Sequence, residues 1–191
     1  LTQDFSLATP VGWREGERVI VDPSVPTDAA RERFQNFEIK AVPSGKEYLR
    51  YVDCPDGAPV SSAAAATSPD APCPAAHAAG HFNIRLGAEL PDFDCVTTKG
   101  SFRLHDFLAR DPAWTILFSH PKDFTPVCTT EIGALHVLEG ELAARGVKLL
   151  GLSCDGVQEH LAWAADVLAV QGLDCKELAF PLIADEDRRI A

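Results

Sequence analysis

The chain has 191 residues, 46% hydrophobic and 24% charged, room for one domain with a real core and a small appendage. Its 17 basic residues face 28 acidic ones, and the net charge of -11 speaks against nucleic acid as a partner, since phosphate binding needs a basic face. No run approaches the ~18 apolar residues of a membrane helix, so no membrane partner is expected.

Residues 1–54 alternate short apolar runs with turn residues. Val19-Ile20-Val21 predicts a strand, Asp28 to Phe37 a short helix, and Lys46 to Tyr51 a further strand after the Pro43-Ser44-Gly45 turn. Residues 55–80 are rich in alanine and proline and offer little apolar surface beyond Val60. They read as a mobile linker.

From His81 to the end the pattern becomes α/β. Lys99-Gly100 predicts a hairpin between Asp94–Thr98 and Ser101–Leu104. Trp114 to Phe118 reads as a buried strand, Thr129 to Arg145 as a helix stopped by Gly146, and Val147 to Leu152 as a second buried strand. Asp155, with Gln158, is placed to cap another helix. Phe180 to Ile183 predicts a third strand, and Asp185 the cap of a helix just begun at Ala191. Strands alternating with helices imply a mainly parallel sheet. The chain contains no methionine and reads as a window on a longer polypeptide, its last domain incomplete.

Six cysteines stand at positions 54, 73, 95, 128, 154 and 175. Their irregular spacing does not suit a secreted disulfide framework, and a reducing compartment such as the cytoplasm is expected. Cys128 differs from the rest, because the segment from Phe118 to Glu131 follows a predicted strand and opens a predicted helix, with Cys128 in its first turn. Unpaired N–H groups and the helix dipole there favour thiolate over thiol, so its pKa is expected to be lowered. Thr125 could present its hydroxyl to the sulfur and to a bound substrate, Pro121 and Pro126 stiffen the loop, and Pro121 could shield the sulfur from water. Cys54 is read as a free thiol rather than a resolving partner, and Cys95, Cys154 and Cys175 as small buried hydrophobes. Cys73-x-x-x-His77-x-x-x-His81 has ligand-like spacing, but its proline and alanine context favours chance. Neither a metal nor a cofactor is expected.

Pro121-x-x-x-Thr125-x-x-Cys128 resembles the active-site motif of the peroxiredoxins, and the longer string from Phe118 to Glu131 resembles their one-cysteine (peroxiredoxin-6-type) subfamily. Leu104–Leu108, Val147–Ser153 and Glu159–Trp163 extend the likeness over about 110 residues, 81–191. The resemblance implies a thioredoxin-like fold with Cys128 as the peroxidatic nucleophile, passing through sulfenic acid. It also implies a role for His120 near the peroxide pocket, a small-thiol or thioredoxin-like reductant, and homodimers. Ala8–Val19 and Pro43–Tyr51 resemble the domain that follows the catalytic one in that subfamily, yet here they come first. The chain therefore reads as the junction of a tandem array: a C-terminal-type (dimerisation) segment at 1–54, the linker, then the front of a catalytic domain. Pairing could then occur in cis. The arginine that the family sets against the thiolate is expected beyond Ala191. The serine behind a phospholipase activity of some animal members has no counterpart in Arg110–Trp114, so His105 and Asp106 are expected to be structural.

Overall fold

The computed structural model describes residues 6–55, 86–110 and 114–190. The predicted linker and the Cys73, His77 and His81 spacing lie almost wholly outside them.

The N-terminal part is a four-stranded antiparallel sheet carrying one short helix. Its elements are β1 (Leu7–Ala8), β2 (Val19–Val21), α1 (Thr27–Arg33), β3 (Glu38–Ile39) and β4 (Arg50–Val52), with strand order β1-β2-β4-β3. Leu7, Val19, Val21, Ala30, Phe34 and Val52 form its core, and Cys54 packs against it. The helix ends earlier than the sequence suggests: Phe34 turns extended as its ring enters that core. The strand predicted at Lys46 begins only at Arg50, because Ser44 to Tyr48 leave the sheet for the second unit.

The second unit has a five-stranded mixed sheet, order β6-β5-β9-β8-β7. The hairpin β5 (Asp94–Thr97) and β6 (Gly100–Arg103) turns at Lys99-Gly100, and Gly100 takes φ +94°, a conformation that costs glycine little. After α2 (Leu104–Ala109) come β7 (Trp114–Ser119), α3 (Pro126–Ala144), β8 (Val147–Ser153), α4 (Val157–Val170) and β9 (Leu182–Ala184). Strands β7, β8 and β9 run parallel, and β9 meets β5 antiparallel. This is the thioredoxin-like α/β arrangement.

Three expectations need correction. Among the described residues β7 is an edge strand rather than a buried one, paired only with β8, and Trp114 is 79% exposed. The cap of α4 is Gly156, whose N–H is accepted by Glu159 Oε2 at 2.8 Å; Asp155 instead takes the Asp123 N–H and the Ser153 hydroxyl. Asp185 closes a turn rather than a helix: its carboxylate accepts the N–H groups of Arg189 and Ile190, while Arg188 is left-handed at φ 53°.

Strand β8 is closely covered. A Cβ on Gly151 would stand 2.5 Å from Leu182 Cδ2 and 3.1 Å from Phe118 Cζ. Gly151→Ala is therefore expected to lower stability by about 1–3 kcal/mol through overpacking, read as a lower urea midpoint with an unchanged m-value.

Candidate active site

Strand β7 delivers His120 at its C-terminal end, and the loop to Thr125 leads into α3. Thr125 is the extended N-cap residue, Pro126 opens the helix where a missing N–H costs nothing, and Cys128 is its third residue. Cys128 is 8% exposed and shares a core with Ile132, Leu149, Trp163 and Leu182. The sulfur thus sits at a helix start, as the sequence predicts, but in apolar company.

That company reverses the expected pKa. Burial pushes the Cys128 thiol up, the Thr125 hydroxyl pulls it down less strongly, and the acidic Glu131 and Asp123 raise it further. The single Thr125 proton lies on the Lys122 carbonyl at 2.8 Å, so it reaches the sulfur only by giving up that bond. Pro121 is exposed on the loop, whereas Pro126 is the buried proline of this segment.

His120 is buried and joins a cluster that the sequence reading missed. Its Nε2 lies 2.7 Å from Asp123 Oδ1, and His160 Nδ1 lies 2.7 Å from Asp123 Oδ2. His160 Nε2 also faces the Ile183 carbonyl at 3.2 Å. Both partners of the His160 ring can only accept, so the arrangement favours the imidazolium, in which both nitrogens donate. Burial lowers the pKa of His160, but the Asp123 carboxylate more than offsets that and the net shift is upward. Burial likewise raises Asp123, and the two histidine hydrogen bonds outweigh it, leaving the net shift downward. The three ligand atoms lie within 4.8 Å of one another, and as arranged hydrogen bonds to Asp123 hold them together. His120 Nδ1 is buried and has no hydrogen-bond partner among the described residues. The His120 ring lies 4.8 Å from that of Trp163.

The other thiols lie apart from this site in character. Burial pushes Cys95 up to about 11, an inert core residue, while Cys154 is half-buried and Cys175 exposed. His105 is structural, its Nε2 2.6 Å from the Leu90 carbonyl and its N–H on Asp92.

The profile of the AhpC/TSA family matches residues 86–191. The chain belongs to this family. A second profile, the C-terminal domain of 1-Cys peroxiredoxin, matches residues 1–36, so a domain named for the C-terminus stands first. Among curated relatives, peroxiredoxin-6 of Gallus gallus is 51% identical over 109 residues, covering 56% of this chain and 48% of that protein. The 1-Cys peroxiredoxin of Onchocerca volvulus is 47% identical over 112 residues, covering 55% and 48%. A crystal structure of a cysteine-to-serine mutant of peroxiredoxin 6 from Arenicola marina superposes with a TM-score of 0.52 at 46% identity, covering 56% of this chain and 47% of that one. The chain thus spans about half the length of the curated peroxiredoxins it matches.

Proposed function

We propose that the chain carries the front of a thiol peroxidase site, in which Cys128 reduces hydrogen peroxide and small organic hydroperoxides. The observation that carries this reading is a low-exposure cysteine in the first turn of α3, beside Thr125, in a chain with the AhpC/TSA profile. The Cys128 thiolate attacks one peroxide oxygen. The S–O bond forms, the O–O bond breaks, and the sulfur loses two electrons to become sulfenic acid. The leaving oxygen takes a proton and departs as water or an alcohol. A thiol then attacks the sulfenic sulfur, expelling water, and a second thiol frees Cys128 as a disulfide leaves. The reductant is proposed to be a small thiol or a thioredoxin-like protein.

His120 is proposed to take the proton that leaves Cys128. Asp123 fixes its Nε2, which leaves the unpartnered Nδ1 as the available base. Thr125 orients the peroxide. Pro121, exposed here, is given the lesser role of shaping the loop mouth.

The order of the two profiles supports a junction of tandem units, and residues 40–48 seated on α3 and α4 support pairing in cis rather than only between two chains. The cysteine pattern supports the cytoplasm. A second reading, a pseudo-catalytic unit for dimerisation, chaperone-like binding or redox sensing, draws on the raised Cys128 thiol and the exposed Trp114 and Ile116 of β7.

Rapid-quench mass spectrometry after one equivalent of peroxide separates the two. Fast, selective sulfenic acid at Cys128, absent in Cys128→Ser, is expected. Oxidation no faster at Cys128 than at exposed Cys175 would favour the second reading.

A further inference from the structure

We propose that the N-terminal unit is the positioning element of the Cys128 site, and that Tyr48 is the residue through which it acts. This rests on the peroxidase reading above.

The Asp166 carboxylate, on α4, is 0% exposed. Three donors meet it: the Ser44 N–H at 2.8 Å, the Ser44 hydroxyl at 2.6 Å and the Tyr48 hydroxyl at 3.1 Å. All three belong to the N-terminal unit. A buried carboxylate is costly unless hydrogen-bonded, so this helix is built to receive that loop. Lys40 Nζ adds a bond to the Val170 carbonyl at 3.2 Å, and the Val11 N–H bonds Thr130 Oγ1 at 3.1 Å.

From this seat Tyr48 reaches the reacting turn. Its ring packs on the core that holds Cys128, and its hydroxyl lies 3.4 Å from Thr129 Oγ1. Burial raises the Tyr48 phenol, which therefore keeps its proton. Thr129, the residue after Cys128, shares its one hydroxyl proton between the Thr125 carbonyl at 2.8 Å and the Tyr48 oxygen at 3.4 Å, and accepts the Trp163 indole N–H at 2.9 Å. Thr129 is thus a node joining Tyr48, Trp163 and the N-cap residue beside the sulfur.

The other side of the turn is held as well. Phe124 is left-handed at φ 56°, a conformation that costs a non-glycine residue about 1–2 kcal/mol and persists only where its surroundings enforce it. Lys46 Nζ stands 3.1 Å over its ring, and the Tyr48 ring meets it edge-on with centroids 5.8 Å apart. Both contacts come from the N-terminal unit, so one loop grips the Phe124–Thr129 turn at both ends. Attack on a peroxide needs the O–O bond aligned with the sulfur, and small displacements of a positioning group cost large factors in rate. Generic alkylation of the same thiolate makes no such demand.

The test compares peroxide oxidation of Cys128 with its alkylation by iodoacetamide in the whole chain, in Tyr48→Phe and in Arg145→Ala. Tyr48→Phe keeps the ring and removes the hydroxyl. It is expected to slow oxidation roughly tenfold while alkylation stays within about twofold. Arg145→Ala removes an exposed ion pair with Glu141 at the opposite end of α3 and is expected to leave both rates within about twofold. Should Tyr48→Phe fail to fold, Thr129→Val must show the same split. Equal oxidation rates in wild type and Tyr48→Phe, or a parallel change in both reactions, would overturn the proposal alone. A wild-type Cys128 that oxidises no faster than Cys175 would sink the peroxidase reading and this one with it.

Discussion

Asp123→Ala is expected to remove about 3–5 kcal/mol of folding stability, among the largest single losses available in this chain. The carboxylate is buried and is the shared acceptor of His120 and His160, at 2.7 Å each. Deleting it strands a buried imidazolium whose other bond goes to the Ile183 carbonyl. His160 can escape the charge only by losing its proton, so the loss should be larger near pH 5 than near pH 8.

The native pH profile follows from the two shifts. Asp123 is held below its ordinary 3.8, so its contribution is present above that value and is lost as pH falls through the lowered one. His160 is held above its ordinary 6.5, so its contribution is complete below 6.5 and is lost as pH rises through the raised value. The pair therefore stabilises most between 3.8 and 6.5. Urea midpoints of wild type and Asp123→Ala from pH 4 to pH 9 test this, with the gap narrowing as His160 loses its proton above 6.5. A gap of constant size from pH 4 to pH 9 would show that the ion pair is not its source.

Trp163→Ala is expected to cost about 3–5 kcal/mol. The indole is 0% exposed, shares a core with Cys128, Ile132 and Leu182, and donates to Thr129. Trp163→Phe divides the two roles: it keeps most of the apolar volume and loses the hydrogen bond, so about 1 kcal/mol is expected. Because Trp163 and Tyr48 meet at the Thr129 hydroxyl, their substitutions should not add, and a double-mutant cycle is expected to show a coupling of about 0.5 kcal/mol or more. Strict additivity would mean that the Thr129 node is not shared.

Much of this was legible in residues one after another. The hairpin at Lys99-Gly100, the strand at Val147 and a helix start beside Cys128 are local decisions made by turn chemistry and apolar spacing, although the helix opens at Pro126, three residues before the expected Thr129. Cys128 could be singled out for the same reason. Its raised pKa could not, because dipole and N–H groups are local whereas burial among Leu149, Trp163 and Leu182 depends on how distant elements pack. The buried reading of Trp114 to Phe118 failed similarly: an apolar run records an appetite for cover, not its presence. Asp123 and His160 are 37 positions apart, and only the crossover from β7 through α3 and β8 brings them together. A usable sign did exist, since His160 and Trp163 share one helical face at a three-residue spacing, and a histidine among core residues calls for a partner.

The grip of Ser44 on Asp166 spans 122 positions. On a ribosome adding about 5–20 residues each second, the loop emerges roughly 6–24 s before its seat has been made. During that interval the nascent Tyr48 and Lys46 have no surface to settle on, and the small apolar core of Leu7, Val19, Val21, Phe34 and Val52 must hold itself or stay open. Maturation is thus ordered in time: the reacting turn can be gripped only once α4 has left the exit tunnel, which makes the Cys128 site among the last parts of this chain to be finished.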